Sequence, residues 1–87
     1  MKTQLSIEIT SRFFQACSVL IEQGKTSLMQ LSKELEVDRA NFKKQRDDYS
    51  RSIIQLSWLS HLVIKYRVSA VWLLTGNGIM FIRKSML

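Results

Sequence analysis

This chain of 87 residues has no proline and only three glycines, which leaves it almost no obligatory backbone breaks. Proline and glycine are the residues that interrupt helices. Their scarcity, together with apolar residues recurring at three- and four-residue steps, predicts helices joined by short polar turns. The expected class is all-α, in one domain over residues 1–87 with a core at about 9–78, because a chain this short buries a single modest core.

The pattern divides into five helices. The first starts near Ser6 or Thr10 and places Ile9, Phe13, Ala16, Cys17, Leu20 and Ile21 on one stripe, with Gly24 as its stop. The second follows Ser27, a capping hydroxyl, and Gln30 completes a capping box by reaching back, while Leu28, Leu31 and Leu35 make the apolar side. Asp38 caps a third helix from Arg39 to Asp47, on which Phe42 faces inward and Ala40, Lys43, Lys44 and Asp47 project the opposite way. A polar turn from Asp47 to Ser52 leads to a long, mostly buried fourth helix carrying Ile53, Leu56, Trp58, Leu59, Leu62, Val63 and Tyr66, the expected centre of the core. Ser69 caps a short fifth helix bearing Val71, Trp72 and Leu73, and Gly76 ends it. Ile79 to Ile82 then begin a short C-terminal strand or arm over residues 79–87.

A net charge of +6 favours an anionic partner, and the charge is focused: Arg39, Lys43, Lys44 and Arg46 fall in one stretch that contains no Asp or Glu. An α-helix fits the major groove of B-DNA, where Arg and Lys donate to the O6 and N7 acceptors of guanine. Arg39, Ala40, Lys43 and Lys44 are therefore the candidate base-contacting residues, Ala40 by being small enough for close approach to a thymine methyl. An ordinary solvated charged face is the competing reading; the position directly after a turn with interlocking Leu31, Leu35, Val37 and Phe42 favours a helix-turn-helix. Lys25, Thr26, Ser27, Asn41, Arg46 and Arg51 are candidate phosphate contacts, although Ser27 serves equally as a cap alone.

Other chemistries find little support. The single cysteine, Cys17, sits among apolar neighbours and reads as a core residue in a reducing, cytoplasmic compartment. His61 has no Cys, Asp or Glu at ligand spacing on its own helix, so no metal site is expected. Asp47 and Asp48 are adjacent and point apart, which disfavours an acid–base pair, and Thr75-Gly76-Asn77-Gly78 lacks the lysine of a phosphate loop. Trp58 and Trp72 lie in apolar stripes and read as core rather than as base-stacking platforms. The apolar stretch Leu62 to Leu74 is broken by Lys65, Tyr66, Arg67 and Ser69, so no membrane span is expected, nor a signal peptide. Neither enzyme activity, a cofactor nor a small-molecule effector is expected.

Two segments, Leu28 to Gln45 and Val68-Ser69-Ala70-Val71-Trp72-Leu73-Leu74-Thr75-Gly76-Asn77-Gly78, resemble the lambda-repressor-like, Cro/C1-type helix-turn-helix family of phage and mobile-element regulators. The resemblance spans about Phe13 to Phe81. It implies a five-helix DNA-binding bundle that acts as a dimer on a two-fold operator, with Arg39, Ala40, Lys43 and Lys44 facing the bases. Three positions depart from the family pattern: Glu36 stands where glycine is common in the turn, Ser32 where alanine is usual, and Gln45 where an apolar anchor is expected.

The expected function is a transcriptional regulator, a repressor of phage or mobile-element type, binding double-stranded DNA as a homodimer. Ile79, Met80, Phe81 and Ile82, with Met86 and Leu87, are the candidate dimer interface; the arm folding back on the first helix is the equal alternative. The competing function is a protein-interaction module, antitoxin-like or adaptor, built on the same bundle.

Overall fold

In the computed structural model, which describes residues 3–51 and 54–82, the chain forms α1 (Gln4–Glu22), α2 (Leu28–Glu34), α3 (Arg39–Asp47), α4 (Leu56–Tyr66) and α5 (Ala70–Thr75). A 3-10 turn at Tyr49–Arg51 follows α3, and no strand is present among the described residues. None of these helices is long and apolar enough to cross a membrane.

The first helix begins earlier than expected. Thr3, in extended backbone, accepts the Ser6 amide on its hydroxyl at 3.1 Å and so caps a helix that starts at Gln4. Thr10, one of the two expected starts, is buried inside the helix and returns its hydroxyl to the Ser6 carbonyl at 2.9 Å. That i to i−4 bond is how a helix interior satisfies a buried threonine. At the other end Gly24 takes φ 72°, its amide bonds the Ile21 carbonyl and the Lys25 amide bonds the Leu20 carbonyl, each at 3.0 Å. This paired closure, with a left-handed residue just past the helix, satisfies carbonyls that the helix itself cannot.

The core is organised around α1. Phe13, Phe14, Ala16, Cys17 and Leu20 are buried there, joined by Leu31 and Leu35 from α2, Phe42 from α3, Trp58 and Leu62 from α4 and Trp72 and Leu73 from α5. Four aromatic rings tie three helices together: Phe13 lies 5.9 Å from Trp58 and 6.4 Å from Phe42, and Phe42 lies 5.5 Å from Phe14 and 6.0 Å from Trp58. Such pairs add about 0.5–1.5 kcal/mol each beyond the apolar area they bury. Burial pushes the Cys17 thiol up to about 12, against a backbone hydrogen bond that lowers it, so it remains an unionised core side chain.

The fourth helix is not the buried centre. It starts at Leu56 and buries Trp58 and Leu62, whereas Leu56 is 82% exposed and Ile64 is 79% exposed. Leu56 and Trp58 are two residues and about 200° apart on a helix, so both cannot face one core. Ile53 lies outside the described residues.

Ser69 caps α5 by accepting the Trp72 amide at 3.2 Å, and Gly76 at φ 79° ends it. Arg12 of α1 donates from Nε to the Leu73 carbonyl at 2.8 Å, which holds α5 against α1 through an otherwise open helix end.

The short strand or arm is a single antiparallel bridge between Val68 and Phe81, closed by Ser69 N–H to the Met80 carbonyl and Ile82 N–H to the Arg67 carbonyl, each 2.8 Å. Met80 and Phe81 pack against the core, beside the α4–α5 link, while Ile79 is exposed. Met86 and Leu87 lie outside the described residues.

Candidate nucleic-acid interface

The placement of α3 follows from how α2 ends. Glu36 takes φ 57°, the Val37 amide bonds the Ser32 carbonyl at 2.9 Å and the Glu36 amide bonds the Lys33 carbonyl at 3.2 Å. This is the closure seen at Gly24, here imposed on a residue with a Cβ. Of the alternatives left by a glutamate at this point, the chain adopts the left-handed one.

Across the turn, Leu31 and Leu35 of α2 and Phe42 of α3 are buried and Val37 is half-buried, so the two helices pack on one another. Ser32 is also buried, and its hydroxyl donates to the Met29 carbonyl at 3.0 Å. Gln45 is half-buried.

Asp38, in extended backbone, accepts the Asn41 amide at 3.2 Å and starts α3 as anticipated. Arg39, Ala40, Asn41, Lys43 and Lys44 are all exposed. Among the described residues none hydrogen-bonds or ion-pairs with the side chains of Arg39, Lys43 or Lys44. Arg46 is half-exposed and turns its Nε to Asp47 at 3.4 Å, a weak surface pair. Three cations on five consecutive helical steps thus face solvent without a side-chain ion pair among the described residues.

The remaining candidates are engaged within the fold. Ser27 caps α2 by accepting the Gln30 amide at 3.1 Å, Thr26 is half-buried with its hydroxyl 3.2 Å from that of Tyr66, and Lys25 holds its ammonium 5.8 Å from the centre of the Phe81 ring. The side chain of Arg51 lies outside the described residues.

One cluster escaped the sequence reading. Glu34, the last residue of α2, has a side chain only 11% exposed; His61 Nε2 and the Tyr66 hydroxyl approach Oε1, each at 2.8 Å, while Gln30 Nε2 at 2.6 Å and the Lys65 ammonium donate to Oε2. Burial alone raises the carboxyl, but the hydrogen bonds from Lys65, Gln30, His61 and Tyr66 outweigh it and pull Glu34 down to about 2. The bond to Glu34 correspondingly raises Lys65, and burial raises the Tyr66 phenol. Gln30 does not close a capping box: its side chain runs along the helix face to donate from Nε2 to ionised Glu34 four residues on, and no bond from the Ser27 N–H to its amide oxygen is formed. His61, Lys65 and Tyr66 lie on α4 while their acid comes from α2, 27 to 32 positions away, so no spacing within one helix announces the cluster. No group of three or more His, Cys, Asp or Glu positioned for a metal occurs among the described residues.

A second surface is apolar. Leu5, Leu56, Ile64 and Leu74 are exposed large hydrophobics that line two adjoining depressions between the start of α1, α4 and α5, with no residue of α3 among their walls.

Comparison of the chain with protein-family models, curated proteins and solved structures finds no match in any of the three.

Proposed function

We propose that this protein is a sequence-specific transcriptional regulator of the lambda-repressor-like kind, a repressor of phage or mobile-element type, whose α2 and α3 act as a helix-turn-helix on double-stranded DNA. The observation that carries this reading is the set of exposed cations Arg39, Lys43 and Lys44, without an ion pair among the described residues, on a helix held by a packed turn. Nine residues of α-helix extend about 13 Å, comparable with the roughly 12 Å width of the major groove. Arg39 and Lys44 are separated by about 7.5 Å along the axis, enough to address two to three base steps. Ala40 brings the backbone close, and Asn41, Arg46 and Lys25, all reachable from solvent, supply phosphate contacts, while Thr26 and Ser27 are held within the fold by Tyr66 and the Gln30 amide. So short a readout distinguishes few sequences, so the reading includes a homodimer on a two-fold site. Of the four arm residues of the candidate interface, Met80 and Phe81 pack on their own chain and Ile82 is half-buried, which leaves Ile79 as the exposed member.

A second reading, a protein-interaction module, is favoured by the exposed apolar surface of Leu56, Ile64 and Leu74. Selection from a pool of random duplexes at about 150 mM salt, an ionic strength that screens nonspecific binding, separates the two. An enriched two-fold motif supports the regulator; a flat pool retained only at low salt means nonspecific binding, and no retention favours the module.

A further inference from the structure

We propose that Glu34 is a positioning residue for base recognition, acting by locking α2, and through it α3, to α4; the proposal rests on the DNA-binding reading above. A carboxylate offers about four acceptor sites. In Glu34 they meet four polar groups, two at each oxygen, and three of these groups come from α4. The helix they hold is seven residues long, too short to keep its own direction, and its buried Leu31 and Ser32 supply packing, which permits sliding more readily than directional bonds do.

Only Leu35 to Asp38 separate α2 from α3, and the turn is closed by the Val37 to Ser32 bond, so the direction of α2 sets the tilt that α3 takes about its one buried anchor, Phe42, in the aromatic cluster. Phosphate attraction tolerates a tilt of the recognition helix, because it depends on charge within a broad field. Hydrogen bonds to base edges do not tolerate it, since they fail beyond tenths of an ångström and tens of degrees. Loss of the lock is therefore read in discrimination between sequences more than in attraction to DNA.

The test compares affinity for the duplex selected from the random pool with affinity for a scrambled duplex of equal length, in the wild-type chain, Glu34→Gln and Tyr66→Phe, at a temperature where circular dichroism shows each to be folded. The expected result for Glu34→Gln is a ratio lowered about five- to tenfold, equivalent to one impaired base contact, with scrambled-duplex affinity little changed. Tyr66→Phe removes one of the four partners and is expected to lower the ratio by a smaller factor. An unchanged ratio in folded Glu34→Gln overturns the proposal. If that variant does not fold, Tyr66→Phe decides: a lowered ratio supports the lock and an unchanged one overturns it. A wild-type chain that prefers no duplex overturns the DNA-binding reading itself, an outcome distinct from the failure of Glu34.

Discussion

Glu36 closes α2 in the same left-handed backbone conformation in which Gly24 closes α1, φ 57° against 72°. A left-handed residue with a side chain costs roughly 1–2 kcal/mol, part of which glycine returns as unfolded-chain entropy. Glu36→Gly is accordingly expected to raise stability by about 0.5–1 kcal/mol, seen as a higher urea midpoint at unchanged slope.

The reverse change separates strain from crowding. A Cβ at Gly24 meets nothing within 4 Å, whereas one at Gly76 comes within 3.2 Å of the Arg12 guanidinium. Gly24→Ala should cost about 1 kcal/mol from backbone strain alone. Gly76→Ala should cost more, because the Arg12 hydrogen bond to Leu73 is disturbed as well; equal thermal shifts in the two variants would count against that contact.

Acid should weaken the fold through Glu34. Its carboxyl ionises at about 2 in the folded chain against an ordinary 4.5, so the unfolded chain binds the proton more readily. The stabilisation is complete above about 4.5 and is lost as pH falls from there toward 2. Denaturant unfolding across that window should show a steep loss that Glu34→Gln flattens.

Lys44→Ala should lose about 1–3 kcal/mol of binding to the selected duplex if Lys44 reads a base, with relaxed preference at one position. The thermal midpoint should stay put, because this exposed side chain pairs with nothing among the described residues. A loss uniform over all duplexes, with a salt slope reduced by about one, would instead mark a phosphate contact.

Leu56 and Phe42 should respond very unequally to substitution. Leu56→Gln on the open side of α4 is expected to change stability by less than about 0.5 kcal/mol, whereas Phe42→Ala, at 0% exposure among three aromatic rings, should cost about 3–5 kcal/mol. A large loss at Leu56 would return α4 to the centre of the core.

Local chemistry made much of this legible from the residues alone. The absence of proline gave an all-helical chain, the caps Ser27, Asp38 and Ser69 marked three helix starts, and Arg39 to Asp47 was bounded correctly because Asp38 and the alternation around Phe42 are short-range signals. The exposed basic residues of α3 followed from the same 100° rotation.

Where two local signals competed, or a partner lay on another helix, sequence order was insufficient. Thr10 looked like a cap and is a buried interior residue, since Thr3 stood in a better position to start α1. Which of the many apolar residues of α4 turn inward was decided by the aromatic rings that Phe13 and Phe42 present to Trp58. Glu34 met His61, Lys65 and Tyr66 across 27 to 32 positions, and Phe81 met Val68 through backbone bonds that no side-chain pattern announces. Helix periodicity and capping act within a few residues and are written in the chain, whereas the sharing of one carboxylate, one aromatic cluster and one backbone bridge between distant segments exists only once the helices have packed.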